Sequence, residues 1–300
     1  MMLLTLSNRL HNLHSLVLPK IQSDMTRNRI LSAGNQILRS LFILLFAINS
    51  GVQAAECGNF DGRGIIKRVI DRNLGDRSIQ LSEMTLTNDK GLQRVRKIKS
   101  LHINTGDGME RRLIRFLSPA DMRDTTFLNI ERKEEQDEQY LFLPAYNRTK
   151  RISNTDRGRS FMGTDYTYED ILHRKLNVDQ HVCLGTDRVQ GWDTFMVESV
   201  PVDGSISQYG KMIRWVDQHS FVIVRGDFYD KDGRLMKRLR VDALKNIDGV
   251  WVPTDSIMEN LPENHSTRIE VTDLAFDNEN VTEGMFTVSA IKRRRFPDVH

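Results

Sequence analysis

The stretch FVIVRGDFYDKDGRLMKRLRVDALKNIDGVWVP, from Phe221 to Pro253, alternates apolar and polar residues around two short turn sequences. In its second run, Leu235, Leu239 and Val241 would face one side of a sheet, and the polar residues between them would face the other. The turn signals are the DKDG tetrapeptide that begins at Asp230 and the Asp-Gly pair at Asp248. Because such short turns join antiparallel neighbours, the stretch predicts consecutive β-hairpins.

Similar patterns occur elsewhere in the chain. WDTFMVESV begins at Trp192 and QYGKMIRWV begins at Gln208. Near the other end, Ile79 and Leu81 alternate in one phase and Met84 and Leu86 in the opposite phase, which predicts a β-bulge near Ser82-Glu83. From Leu92 to Ile103 the apolar residues come every third position, so only its neighbours indicate a strand there.

The candidates amount to roughly ten or eleven strands, and an antiparallel sheet of that size curls. One helix precedes them, because five apolar residues between Gly64 and Gly75 have helical spacing over about three turns. These are Ile65, Ile66, Val69, Ile70 and Leu74. Two interpretations of the curled sheet remain open, namely a sandwich or barrel with a filled core and a sheet with interior space for a helix or a ligand.

Residues 1–54 have the pattern of a secretory signal with an upstream extension. Arg27, Arg29 and Arg39 precede the apolar run Leu41–Ile48, and small residues follow up to Ala54, after which we expect cleavage. The run is short for a membrane span, which takes about 20 residues, although a retained anchor is the alternative. Met25 fits the start of such a signal better than Met1.

Without residues 1–54 the chain carries a near-neutral charge. That segment holds five of the 43 Lys and Arg residues and one of the 40 Asp and Glu residues, which leaves 38 and 39. A balance of this kind gives no electrostatic basis for binding nucleic acid. Cys57 and Cys183 would form a disulfide in an oxidising compartment or remain two thiols. Glu56 precedes Cys57 where lipidation requires a small residue, so we expect a protein without a lipid anchor.

The segment SFMGTDYTYEDI, Ser160–Ile171, combines a turn with soft and aromatic side chains. Gly163 permits a backbone turn, and Thr167 followed by two acids fits a helix N-terminus. Side chains of this kind suit the mouth or lid of a cavity, with Ile171 and Leu172 pointing inward. The mouth or lid candidates are Phe161, Met162, Gly163, Tyr166, Tyr168, Ile171 and Leu172.

A basic run precedes this segment. Its members are Arg148, Lys150, Arg151, Arg157 and Arg159. Such a run is either a solvated loop or a rim that meets phosphate head groups or an acidic partner surface.

The chain carries none of the common catalytic or cofactor motifs. GxSxG, the Walker loop, GxGxxG before a helix and CxxC are all absent from the sequence. Glu169, Asp170 and His173 could approach a metal from one helix face, but no second histidine stands at HExxH spacing. We therefore predict no catalytic residue, no metal site, no cofactor and no enzymatic activity.

Two neighbouring segments together resemble a known family. YLFLPAYNRTKRIS, which begins at Tyr140, and SFMGTDYTYEDI resemble the LolA-like outer-membrane lipoprotein-sorting proteins, in the branch associated with RND-type exporters. The resemblance extends from Gly62 to about Phe286. It implies that residues 55–300 form a single domain, a half-open, strongly curved antiparallel β-barrel with helices packed as a lid.

The resemblance also implies a function. A protein of this kind would be a monomeric periplasmic carrier or chaperone, holding the acyl chains of lipids or lipoproteins in an apolar cavity, with an RND-type inner-membrane exporter as a partner. The alternative is an accessory module that docks on such an exporter and carries nothing.

Overall fold

The computed structural model describes residues 57–106, 108–133, 136–205, 207–293 and 296–299. The predicted signal, the Met25 start and the cleavage after Ala54 lie outside these residues. One α-helix is described, α1 at Gly62–Ile70. Thirteen strands are described: β1 Arg77–Thr87, β2 Gln93–Asn104, β3 Glu110–Ser118, β4 Thr126–Ile130, β5 Glu138–Leu143, β6 Arg148–Ile152, β7 Asp179–Val189, β8 Trp192–Pro201, β9 Lys211–Asp217, β10 Ile223–Tyr229, β11 Leu235–Ile247, β12 Val250–Asn260 and β13 His265–Phe276.

All thirteen strands belong to one antiparallel sheet. Their order is β6-β5-β4-β3-β2-β1-β13-β12-β11-β10-β9-β8-β7, so β6 and β7 are its two edges. In the described part of the chain no ladder joins these edges, and the sheet is open. The prediction of a mainly β, antiparallel, half-open fold is confirmed, although ten or eleven strands was too low a count.

The turns follow the sequence closely, but the bulge does not. The predicted bulge in β1 is wrong, because β1 pairs with β2 without a shift and the residue skipped opposite Leu81-Ser82 is Thr272 of β13. Ile79 and Met84 belong to cores on opposite faces, so burial of both faces of β1 produces the change of phase. Asp248 and Gly249 connect β11 to β12 with φ of +52° and +84°. Two consecutive positive φ values are the geometry that an Asp-Gly hairpin turn requires.

Strands β1–β5 are buried on both faces. Ile114, Phe127 and Leu141 belong to a core on one face, called here the inner face. Their chain neighbours Leu113, Leu128 and Phe142 belong to a second core on the outer face. The outer core is completed by apolar residues that follow β13: Val281, Phe286, Ile291 and Val299. Burial on both sides explains why the apolar residues of β2 showed no clean alternation.

Helix α1 packs against β7 and β8. Asp61 caps it by accepting a hydrogen bond of 2.6 Å from the Gly64 N–H, and Ile65 and Ile66 pack on Phe195 and Val197 of β8. The helix ends at Ile70, earlier than the predicted three turns, so Leu74 lies beyond it. Cys57, just before α1, is bonded to Cys183 of β7, with Cα atoms 6.4 Å apart. In the described part of the chain, neither α1 nor any shorter helical turn could cross a membrane.

The predicted helix start at Thr167 is wrong. Residues 153–178, called the strap below, connect β6 to β7 mainly through turns and bends. Within the strap, Ser160 and Thr167 form an isolated antiparallel bridge, and the Asp170 N–H donates to the Thr167 hydroxyl at 3.3 Å. The cap hydrogen bond therefore exists, but Asp170 and Glu169 bond to distant residues instead of opening a helix.

Candidate functional site

The strap joins the two edge strands and crosses the inner face of the sheet. Phe161 and Tyr168 of the strap belong to the core on that face. Three polar contacts hold its first half. Arg96 of β2 donates to the Met162 carbonyl at 2.6 Å, and Gln139 of β5 donates to the Tyr168 carbonyl at 2.9 Å. Asp165 accepts from the Thr267 hydroxyl of β13 at 2.6 Å and contacts the imidazole of His265 at 2.7 Å. The first half of the strap is thus fixed to one half of the sheet, from β5 to the central strand β13.

Asp170 holds the second half of the strap. It accepts from the Tyr209 hydroxyl at 2.8 Å and forms an ion pair of 3.3 Å with Lys237 of β11. The Asp170 and Lys237 side chains are only 5% and 8% exposed. Burial raises the pKa of Tyr209, and the Asp170 charge raises it further, so this phenol remains a donor at neutral pH.

Glu169 is held equally firmly. It pairs with Arg174 at 2.6 Å, and the Ser207 hydroxyl donates to it at 2.5 Å. Arg174 also clamps both oxygens of Asp179, each at 2.6 Å. Such bidentate contacts fix the position of the side chains. We infer that Glu169 and Asp170 hold the strap in place.

A cavity of about 360 Å³ lies between the strap and the inner face. Most of its wall is apolar, and it comes from central strands, from the residues just after α1, and from the strap. The apolar lining is Leu74, Met84, Ile98, Leu101, Ile114, Phe161, Ile171, Val250, Trp251, Val252, Pro253, Ile269, Val271, Leu274 and Phe276. Its volume falls within the usual range for ligand pockets, about 300–1,000 Å³.

A second cavity of about 330 Å³ lies between α1, the strap and strands β9–β12. It shares part of its wall with the first cavity: Arg72, Leu74, Arg112, Tyr166, Asp170 and Ile171 line both. The second cavity is the more polar, because charged side chains of several elements face it. These are Arg72, Glu110, Arg112, Glu169, Asp170, Arg174 and Arg214.

The predicted mouth or lid residues separate into two groups. Phe161, Tyr166 and Ile171 line the first cavity, and Tyr166, Ile171 and Leu172 line the second. Met162, Gly163 and Tyr168 line neither. Met162 and Gly163 form a turn with φ of +53° and +74°, whereas Tyr168 is buried in the inner core.

Phe161 anchors the strap to the sheet. It is 1% exposed. Its ring makes edge-to-face contacts with Phe127 and Tyr168, at centroid distances of 5.3 Å and 5.5 Å. The ring of Phe116 lies 6.0 Å away. Aromatic pairs in such clusters stabilise the folded protein by more than the burial of their apolar surface alone.

The predicted basic rim lies away from both cavities. Arg148, Lys150 and Arg151 are exposed on edge strand β6, and Arg157 and Arg159 follow in the strap. Asp156 pairs with Lys150 at 3.2 Å and with Arg159 at 3.1 Å, and Arg157 donates to the Asp137 carbonyl at 2.5 Å. None of the five lines either cavity.

Four arginines that sequence reasoning missed do line the cavities, and Arg174 of the strap is one of them, at the second cavity. Arg72 and Arg112 line both, and Arg214 of β9 lines the second. Arg214 has a sequence signal, because it occupies an inward position between Met212 and Val216, where the alternation calls for an apolar residue. Arg72 has no such signal, since it follows α1 in an irregular segment.

The Glu110 carboxylate of β3 contacts two imidazoles. The imidazole of His173 lines the second cavity with Glu110, and that of His102 lines the first. His173 Nδ1 lies 3.2 Å and His102 Nε2 3.7 Å from Glu110 Oε1. Burial by itself would raise the pKa of Glu110, but its contacts with His102 and His173 outweigh burial and hold that pKa well below its usual range. In turn, the Glu110 carboxylate raises the pKa of His173. Within the described residues, no group of three or more His, Cys, Asp or Glu side chains could hold a metal ion.

Comparison with known proteins gives matches of two kinds. A family model with the description "Uncharacterized protein" matches residues 108–293. A DUF1329 family protein from Desulfovibrio piger is 29% identical with a TM-score of 0.73, over 77% of this chain and 97% of that chain. A domain classed with outer membrane lipoprotein-sorting proteins, from Vibrio parahaemolyticus, gives the same identity and TM-score over 77% and 98%. No curated protein matches.

A third solved structure extends the likeness of fold. The LolA superfamily protein from Nitrosomonas europaea is 20% identical with a TM-score of 0.60, over 77% of this chain and 99% of that chain. At this identity the match concerns the fold alone, and it fits the predicted curved, half-open barrel. The family model covers more than half of the chain, and with the two structures at 29% identity it shows that this chain belongs to a LolA-like protein family.

Proposed function

We propose that the protein is a periplasmic carrier that shelters hydrocarbon chains of lipids or lipoproteins from water. The observation that carries this proposal is the first cavity, about 360 Å³ of largely apolar space between the strap and the inner face. The relation to a domain classed with outer membrane lipoprotein-sorting proteins supports it.

The physical basis of such carriage is the transfer of hydrocarbon out of water. Each buried CH₂ group contributes about 0.8 kcal/mol, so a short stretch of chain suffices for retention. Release requires an acceptor that is more apolar than the cavity, or a movement of the strap. The polar attachments of the strap can be exchanged for water, whereas the sheet beneath it stays intact.

Export fits this role. We propose that residues 1–54 contain a signal that starts at Met25 and is cleaved near Ala54, leaving residues 55–300 as one domain. The Cys57–Cys183 bond is compatible with an oxidising compartment.

A second candidate is an accessory module that docks on an RND-type membrane exporter without cargo. It is favoured by the basic residues of β6, because Arg148, Lys150 and Arg151 are exposed on an edge strand. An edge of that kind can receive a partner strand or an acidic surface. Carriage and docking are compatible, so we assign β6 to a partner and the cavities to the cargo of a monomeric carrier.

Native mass spectrometry of the protein purified from periplasm, before and after solvent extraction, tests the carrier proposal. We expect adducts with the mass of acyl compounds that disappear on extraction. A preparation free of such adducts, which also fails to take up acyl chains after delipidation, would contradict carriage and favour the docking module.

A further inference from the structure

Two arginines at the second cavity have no acidic partner within the described residues. Arg214 is 8% exposed, and its guanidinium donates at 3.2 Å to the Ser199 hydroxyl and at 3.2 Å to the Met212 sulfur. Arg72 donates to the Trp251 carbonyl at 3.2 Å. Neither forms an ion pair there. A buried charge without a counterion is costly, so such positions usually serve a bound anion or a partner.

The acids near these arginines are already neutralised. Asp179, which attracts Arg214, has both oxygens bonded to Arg174. Glu169 is bonded to Arg174 and Ser207, and Asp170 to Tyr209 and Lys237. Glu110 lies among His102, His173 and Arg112. Because Glu169 and Asp179 share Arg174, the charges are counted over the whole cluster. Four carboxylates, Glu110, Glu169, Asp170 and Asp179, face five cations, Arg72, Arg112, Arg174, Arg214 and Lys237. One positive charge is therefore left over around this cavity.

The guanidinium groups keep that charge. Burial lowers the pKa of Arg214 to about 10, which leaves it protonated at neutral pH. Burial also lowers the pKa of Arg72, and the neighbouring charge of Arg112 lowers it further. An anion beside guanidinium groups that repel one another, such as those of Arg72 and Arg112, is stabilising.

We propose that the cargo is an acidic amphiphile, with its anionic head group in the second cavity against Arg72 and Arg214 and its hydrocarbon tail in the first. The two cavities adjoin, because Arg72 and Arg112 line both, and the proposed cargo extends across that boundary. This inference rests on the carrier function and narrows it, because an acyl chain alone would gain nothing from a buried positive charge.

The head group is a carboxylate or a phosphate, since guanidinium binds both in a bidentate manner. Delipidated protein is titrated calorimetrically, near pH 8, with four probes of one chain length: palmitate, hexadecyl phosphate, hexadecanol and hexadecylamine. We expect each anionic probe that fits to bind at least tenfold more tightly than hexadecanol, and the amine to bind least. The tighter of the two anions identifies the source of the head group.

Variants locate the effect. Arg214→Gln should reduce the affinity for the preferred anion about tenfold or more and leave that for hexadecanol within about twofold, as the loss of a charge-assisted contact requires. Arg72→Gln is the second test if Arg214→Gln does not fold. Arg94→Gln, at an exposed position on β2, is the matched control and should change neither affinity.

Two results would overturn the inference separately from the carrier function. If the anions and hexadecanol bind with equal affinity, the protein carries hydrocarbon chains but has no site for an anionic head group. Equal loss of both affinities in Arg214→Gln would make this arginine structural. If no probe binds at all, the carrier function itself is wrong, and the inference falls with it.

Discussion

At the scale of single residues, Asp170 is the main polar attachment of the strap. Replacing it with Ala leaves Lys237 as a buried charge without a counterion, and removing one member of a buried ion pair typically costs about 3–5 kcal/mol. We expect Asp170→Ala to lower the free energy of unfolding by about 3 kcal/mol in urea titrations.

Two further variants define that prediction. Adding Lys237→Met to Asp170→Ala should restore part of the loss, because the uncompensated charge is then gone. Asp193→Ala removes an acid whose pair with Arg188 is 72% exposed on both sides, so it should change stability by less than about 0.5 kcal/mol. A loss at Asp170 no larger than that at Asp193 would contradict the assigned role.

The Glu110–His173 pair predicts a dependence of stability on pH. Because the folded pKa of His173 is raised, its contribution is complete below about 6.5 and is lost as the pH rises through that raised pKa. The folded pKa of Glu110 is lowered, so its contribution is complete above about 4.5 and is lost only as the pH falls through the lowered value. The pair therefore stabilises most between about pH 4.5 and 6.5.

Denaturation of His173→Gln and wild type across this range checks the sign. The difference in unfolding free energy should be largest near pH 6 and shrink towards pH 9. In a Glu110→Gln background the same substitution should lose most of its pH dependence. A wild-type-to-variant difference that stays constant from pH 6 to 9 would show that the pair is not charged in the folded protein.

Single residues also mark what the sequence could and could not indicate. The inward position of Phe161 and Ile171 agrees with their apolar character. Arg214 breaks the alternation of its strand, and that break could have identified it. The sequence could not show that Arg214 lacks an ion-pair partner. That depends on the bonding of Asp179 to Arg174, a contact made only in the folded chain.

At the scale of elements, the strap is bound to the sheet chiefly by Phe161. Phe161→Ala removes a fully buried ring from an aromatic cluster, and such changes cost about 3–5 kcal/mol. We expect a loss of about 3 kcal/mol in unfolding free energy and faster proteolysis between residues 153 and 178. Tyr146→Ala, at an aromatic residue 78% exposed, is the control and should be nearly neutral.

The bond between Cys57 and Cys183 ties the entry of α1 to edge strand β7. It closes a loop of 126 residues, and the chain-entropy model gives about 5 kcal/mol for loops of this order. We expect dithiothreitol to lower the urea midpoint of wild type clearly. The Cys57→Ser/Cys183→Ser variant should start lower and not respond to the reductant, and a wild type equally insensitive would mean that the bond does not form.

Elements differ in how far the sequence determines them. The hairpins at Asp230 and Asp248 follow from local turn chemistry. The phase change near Ser82 was misleading, because both faces of β1 are buried and the bulge lies at Thr272 of β13. Strand β2 was ambiguous because both its faces are buried, a result of the segment after β13 that no local pattern shows. The helix expected at Thr167 failed because tertiary contacts of Glu169 and Asp170 outweigh helix-start propensity.

At the scale of the whole molecule, an open thirteen-stranded sheet is covered on its inner face by α1 and the strap. The space left between these layers is the central claim of this account, and sequence reasoning could predict it only as one of two alternatives. A filled sandwich would give the same strand pattern. The choice between them depends on side chains from elements far apart in the chain, such as Met84, Trp251 and Phe161.

The most direct test fills the first cavity and measures binding of a fluorescent fatty acid to delipidated protein. Ser100 of β2 lines this cavity, so Ser100→Phe places a ring inside it, while Lys97→Phe adds the same ring at an exposed position of the same strand. We predict that wild type and Lys97→Phe bind the probe equally and that Ser100→Phe, still folded by circular dichroism, binds at least tenfold more weakly. Unchanged binding by Ser100→Phe would contradict the account.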